Sequence, residues 1–163
     1  MPAVSNTSPI SNLACIGRLD LLPEQQGQVW IPSAVEAELR QIPDAGVRST
    51  IDQARQAGWL MVRTPTEANL VKLLTVDLHQ GEAEAIALAL EMKAERLFID
   101  EKEGRAMARQ LGLQVTGVLG VLLRSKKVGH LNAIKPELEA LRTKARFFVF
   151  PDLEAAILAD AGE

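Results

Sequence analysis

The sequence predicts a three-layer α/β/α domain, with helices on both faces of a central, mainly parallel sheet. Short apolar, strand-like runs alternate with helical segments from one end of the chain to the other. Strands separated by helices form parallel βαβ units, and such a sheet needs helices on both faces. The chain's 163 residues are 47% hydrophobic and 24% charged, which suits one core and a single domain. No repeat, low-complexity tract or linker divides it.

Pro2 to Asn6 is a short apolar opening strand. Ser8 and Pro9 then read as the N-cap and first position of a helix running through Leu13 and Ile16 to Gly17. Gln28–Ile31 is the second strand, and Pro32-Ser33 turns it into a helix ending near Pro43. Asp44–Gln56 forms another helix, stopped by Gly58. Trp59–Val62 is the third strand, and Pro65-Thr66 starts a helix through Leu73. Gly81–Lys93 is a helix rich in alanine and leucine. Arg96–Ile99 is a strand stopping at Asp100, and Lys102–Gln110 returns as a helix. Leu113–Thr116 is the last strand and Gly117–Lys127 the helix after it. Pro136–Arg146 and Asp152–Asp160 are terminal helices, separated by the apolar Phe147–Phe150, which reads as core or a dimer contact and not as a base-stacking platform.

Several chemistries are excluded. There is no G-x-G-x-x-G, no G-x-x-x-x-G-K-[ST] and no G-x-S-x-G, which disfavours dinucleotide binding, P-loop chemistry and an α/β-hydrolase. Gly117 and Gly120 alone are a weak phosphate signal. A single cysteine, Cys15, rules out an internal disulfide and reads as a small core residue. With no signal peptide visible, the chain is expected to be cytoplasmic. No apolar run approaches the roughly 20 residues that span a bilayer. A net charge of −3 argues against broad coating of nucleic acid but permits a local basic patch. His79 precedes Glu82 by one helical turn and is read as a solvated helix entrance.

What remains is acidic. Ligands of an open parallel sheet bind beyond the carboxyl ends of its strands. The first strand delivers Asn6, Thr7 and Ser8 to that edge, and the fourth delivers Asp100 and Glu101. The helices carrying Glu38 and Glu82 start near it. Carboxylates gathered there without a lysine repel one another unless divalent cations sit between them, and Mg²⁺ prefers carboxylate oxygens and water. Glu38 falls on the apolar side of its helix with Val35, Leu39 and Ile42, where an unpaired acid is costly. Glu36 pairs most simply with Arg40. Glu82 lies near Ala85, Ile86 and Ala89, whereas Glu84 shares a stripe with Glu91 and Glu95 that reads as solvated, and it is kept as a supporting site residue. Asp100 to Glu103 also reads as a capping box with Asp100 as N-cap. Glu101 is placed to replace or assist Asp100. Lys102, Arg105 and Arg109 follow, the two arginines one turn apart and placed to hold phosphates.

In this order and spacing, Val4-Ser5-Asn6-Thr7-Ser8-Pro9-Ile10, Ile31–Leu39, Gly81–Ala87, Leu97–Glu101 and Thr116–Leu123 resemble the PIN-like nuclease family. The resemblance is to its prokaryotic branch related to the toxins of VapBC-type toxin–antitoxin pairs, and covers nearly the whole chain. It implies one PIN-like domain over 1–163, with the helices from about 136 as an extension or dimer contact. It further implies a ribonuclease dependent on Mg²⁺ or Mn²⁺, with RNA as substrate, a cognate antitoxin and a homodimer. By motif, Asn6, Glu38, Glu82 and Asp100 occupy the acidic metal positions, and Thr7 or Ser8 supplies a supporting hydroxyl. The departure is Asn6, where active PIN nucleases typically carry aspartate; a neutral amide should weaken binding of a hard dication. A non-catalytic binding module is the rival reading. A phosphatase using Asp100 as nucleophile is weaker, lacking a second aspartate two positions on and an obvious lysine partner.

Overall fold

The computed structural model describes residues 2–163. The chain runs β1 (Ala3–Ser5), α1 (Thr7–Cys15), α2 (Leu21–Gln26), β2 (Val29–Ile31), α3 (Ser33–Arg40), α4 (Ala45–Gln56) and β3 (Leu60–Val62). It continues with α5 (Ala68–Leu74), α6 (Gln80–Met92), β4 (Arg96–Phe98), α7 (Lys102–Gln110) and β5 (Val115–Thr116). Helices α8 (Val118–Lys127), α9 (Lys135–Lys144) and α10 (Pro151–Asp160) follow. The five strands form one parallel sheet in the order β3-β2-β1-β4-β5, with Val4 of β1 in register with Trp30 on one side and Leu97 on the other.

The pleat divides the core in two. Ala3, Val29, Ile31, Leu60 and Phe98 face one core, which α1–α4, α8 and α9 complete; Val4, Leu97 and Ile99 face the other, under α5–α7. Successive strand side chains point to opposite faces, so each three-residue strand feeds both layers. Helix α6 is buried on nearly every side, from Gly81 to Ala89 apart from Glu84. Its small side chains suit that position, because they let neighbouring elements approach closely. Among the described residues no helix is long and apolar enough to cross a membrane.

The differences from the sequence reading are local. Helix α1 begins at Thr7, so Ser8 is not its N-cap and Pro9 falls later in the first turn. Helix α5 begins at Ala68; Thr66 instead donates its backbone N–H to Glu91, at 3.1 Å, and its hydroxyl also bonds that carboxylate. Helix α2 was not anticipated. Its six residues include Pro23 and are too short to show a helical period. Cys15 is only partly buried.

Candidate metal centre

The sheet order creates the site. From β1 the chain moves outward through β2 and β3, then returns to lay β4 on the opposite side of β1. In open α/β sheets, the crevice beyond the strand ends at such a reversal is where ligands bind. Here that crevice receives Asn6 from β1, and Asp100 and Glu101 from β4. The backbone N–H of Asn6 donates to Phe98 O at 2.9 Å, extending the ladder past the strand ends and fixing Asn6 against β4.

Asn6 is fully buried and does not cap α1 with its side chain. Its Nδ2 donates to Glu101 Oε2 at 3.1 Å, while Oδ1 is buried without a partner. The reversed amide would set its oxygen against a carboxylate, so the hydrogen bond fixes the orientation. The Ser8 hydroxyl donates to the other oxygen of Glu101. Two donors from the start of α1 therefore hold Glu101, which sequence reasoning ranked below Asp100.

The predicted capping box is not formed: Glu101, not Asp100, occupies the N-cap position of α7. Asp100 instead reaches across the crevice, and its Oδ1 accepts the Val118 N–H at the start of α8, at 2.9 Å. Its Oδ2 is buried and unpaired. Burial pushes the Asp100 carboxyl up to about 6; the Val118 N–H opposes that rise, the Glu101 charge adds to it and Arg105 opposes it.

Glu82 is only 5% exposed. Its Oε1 lies 3.1 Å from His79 Nε2, and its Oε2 is buried without a partner. Burial raises this carboxyl too, against the pull of His79 and with the push of Glu101. Glu38 accepts the Thr7 hydroxyl, and its Oε1 is 3.9 Å from His79 Nδ1. Its side chain is 41% exposed, so the inward orientation expected of it is corrected. Val35 and Leu39 carry the buried stripe of α3, leaving Glu38 at its margin. His79 thus touches two of the acids, beyond the solvated entrance predicted for it.

Three glycines make room for this packing, a role their spacing in the sequence does not signal; a Cβ on Gly104 would stand 2.7 Å from Glu82 Oε2. A Cβ on Gly81 would stand 2.6 Å from Glu38 Oε1 and 3.4 Å from Asn6 Oδ1. One on Gly117 would stand 2.5 Å from Asp100 Oδ1.

Among the described residues, the remaining predicted ones take other partners or none. Glu84 is not on a free solvated stripe: it accepts the Ser33 hydroxyl at 3.0 Å and the Ala34 N–H at 3.1 Å, tying α6 to the start of α3. Glu36 pairs with Arg40 as expected. Arg105 turns back to donate to Ile99 O at 3.0 Å, and burial lowers its pKa. Arg109 and Lys102 are exposed.

A family model described as a PIN domain matches residues 2–163. The chain belongs to the PIN domain family. No curated protein matches it. Among solved structures, it is similar to a PilT N-terminus domain protein from the hyperthermophilic archaeon Sulfolobus solfataricus. The identity is 23% and the TM-score 0.52, over 77% of this chain and 93% of the other. That likeness shows the shared fold.

In this PIN domain, the donor chemistry at the crevice fits a hard divalent cation. Asn6 Oδ1, Glu82 Oε2 and Asp100 Oδ2 are all buried oxygens without hydrogen-bond partners. Asn6 follows β1, Glu82 lies on α6 and Asp100 follows β4; Asn6 donates to Glu101, and the Glu101 charge acts on the other two. Unpaired buried oxygens are costly, and oxygen-seeking Mg²⁺ or Mn²⁺ offsets that cost. The side chains are not preset as a closed cage, for among the described residues no three Asp, Glu, His or Cys groups are placed to hold one ion.

Proposed function

We propose that this PIN domain is a metal-dependent ribonuclease that hydrolyses RNA phosphodiesters, working as the toxin of a toxin–antitoxin pair. PIN domains are commonly nucleases and generally use Mg²⁺ or Mn²⁺. The observation that carries the reading is the set of three buried, unpaired oxygens on Asn6, Glu82 and Asp100 at the sheet's reversal point. With Glu38 and Glu101 beside them, these residues would hold the ion. A bound dication acidifies water and screens the charge of a phosphodiester.

The chain's own residues do the rest. Ser8 and Asn6 fix the Glu101 carboxylate, which supplies at 3.1 Å from the Asn6 amide the negative charge that asparagine lacks. Glu38, oriented by Thr7 and open to solvent, is placed to take a proton from an incoming water and release it to bulk. His79, between Glu38 and Glu82, is the neighbouring proton carrier.

A second reading, a PIN-like binding module without catalysis, is favoured by Asn6 itself, whose amide is neutral and already engaged by Glu101. The experiment is cleavage of a single-stranded RNA pool with Mg²⁺ or Mn²⁺. Wild type should cleave, and Asp100→Asn and Glu82→Gln should not. If wild type neither cleaves RNA nor binds either ion at millimolar concentration, the binding-module reading takes its place. The toxin role requires that the product of a small neighbouring gene block the cleavage. Sedimentation of the purified chain tests the homodimer that accompanies this reading.

A further inference from the structure

A cavity of about 480 Å³ opens beside the acids, between the start of α8 and the segment leading into α10. Its lining includes Asp100, Arg105, Gly117, Phe148, Phe150 and Leu153. The volume falls within the range of small-ligand pockets. We propose that this cavity is a nucleobase subsite, in which a base adjoining the scissile phosphate stacks on the face of one of the two perpendicular rings of Phe148 and Phe150, meets the other at its edge, and turns its polar edge toward Arg105. The proposal rests on the ribonuclease reading for the identity of the substrate.

Place and chemistry both point to a base. The cavity shares Asp100 with the candidate metal centre, so its occupant sits next to the phosphate under attack. In a nucleic acid, the group one sugar away from a phosphate is a base. Phe148 and Phe150 are 67% and 69% exposed, so neither is spent on the core. They meet edge to face with ring centroids 5.0 Å apart, presenting aromatic surface at the cavity wall. Their backbone is anchored on both sides. The Phe147 N–H donates to Leu141 O at 3.0 Å, and Pro151 starts α10.

Asp100, Arg105 and Thr116 are the polar members of an otherwise apolar lining. Arg105 spends Nη1 on Ile99 O, and a guanidinium with five N–H donors keeps others for a base edge. An aliphatic protein segment would satisfy the phenyl rings but bury Arg105 and Asp100 against apolar atoms. A nucleobase offers a π-face to the ring and hydrogen-bonding atoms to these polar groups. Gly117 lets Asp100 and Arg105 pack together against the backbone at this end of the cavity: a Cβ there would fall 2.5 Å from Asp100 Oδ1 and 2.8 Å from Arg105 Nη1.

The test compares 5′-AMP with ribose 5-phosphate, titrated calorimetrically into the full chain in Mg²⁺. The base should improve binding at least about tenfold, and the Phe148→Ala/Phe150→Ala double variant should lose about five- to hundredfold for 5′-AMP. Its ribose 5-phosphate affinity and melting temperature should stay unchanged, because both rings are exposed. Equal binding of the two ligands overturns the proposal, as does a double variant that binds 5′-AMP like wild type. So does a wild-type dimer that the double variant converts to monomer in sedimentation velocity, since a second copy then covers the rings. The titration measures no cleavage. An inactive protein that still discriminates 5′-AMP therefore refutes the nuclease reading alone, and an active one that does not refutes the subsite alone.

Discussion

Asp100→Asn should make the metal-free protein more stable at neutral pH while removing the ligand that its function requires. Burial raises the Asp100 carboxyl from 3.8 to about 6, which corresponds to about 3 kcal/mol against the charged form. Asparagine keeps the oxygen that accepts the Val118 N–H but makes a weaker, uncharged hydrogen bond. The rise to about 6 already includes the opposing Val118 hydrogen bond, so we expect a net gain of at least about 2 kcal/mol. For a chain of this size this is a rise of about 4–8 °C in melting temperature. The sign follows from linkage. A carboxyl whose folded pKa is raised contributes stability below its unfolded pKa and loses it as pH rises through the folded value. The advantage of the variant should thus be near zero at pH 4, grow between pH 4 and 6, and level off above about 7. Thermal melts of both proteins in EDTA, at half-unit steps from pH 4 to 8, measure this directly. Glu82 is common to both proteins, whereas the Glu101 charge acts on Asp100 itself and is part of the difference. Equal melting at pH 8, or an offset independent of pH, refutes the burial argument.

Other substitutions separate the parts of the site. Asn6→Asp sets a second carboxylate against Glu101, where the amide now donates at 3.1 Å; it should lower the melting temperature in EDTA and enlarge the rise produced by Mn²⁺. Gly81→Ala should leave melting unchanged or slightly raised, since alanine favours helix by about 1 kcal/mol. It should nevertheless weaken Mn²⁺ binding about tenfold, because its Cβ displaces Glu38. Calorimetric titration with Mn²⁺ checks that pairing of effects. Glu84→Ala should cost about 1 kcal/mol by freeing the start of α3, seen in urea melts, with the Mn²⁺ response intact.

The residues beyond β1 and β4 were legible because strand ends mark the ligand edge of a parallel sheet, whatever the details of packing. Asn6 and Asp100 could be found that way; Glu82 was legible from its small apolar neighbours in α6, and the near-continuous burial of that helix supports its inward reading. The partners of these residues were not legible, because they are distant in sequence. A capping box is a local pattern, and it hid the bond from Asp100 to Val118, eighteen residues on. Glu101 accepts from Asn6 and Ser8, more than ninety residues before it. The helical wheel of α3 places Glu38 near the apolar stripe but cannot say where its neighbours end, and Glu84 was misread for the same reason. Phe147–Phe150 reads as core because it is apolar, but Phe148 and Phe150 are exposed, and the cavity they line with Asp100 emerges only from the fold.

The most direct measurement is anomalous diffraction from crystals grown with Mn²⁺. It locates the ion itself and does not depend on knowing the RNA target. The account predicts a manganese peak in contact with Asn6 Oδ1, Glu82 Oε2 and Asp100 Oδ2, the oxygens that lack hydrogen-bond partners, and its loss in crystals of Asp100→Asn. A crevice without a peak at millimolar Mn²⁺, or an ion held elsewhere with these oxygens still unpaired, would contradict it.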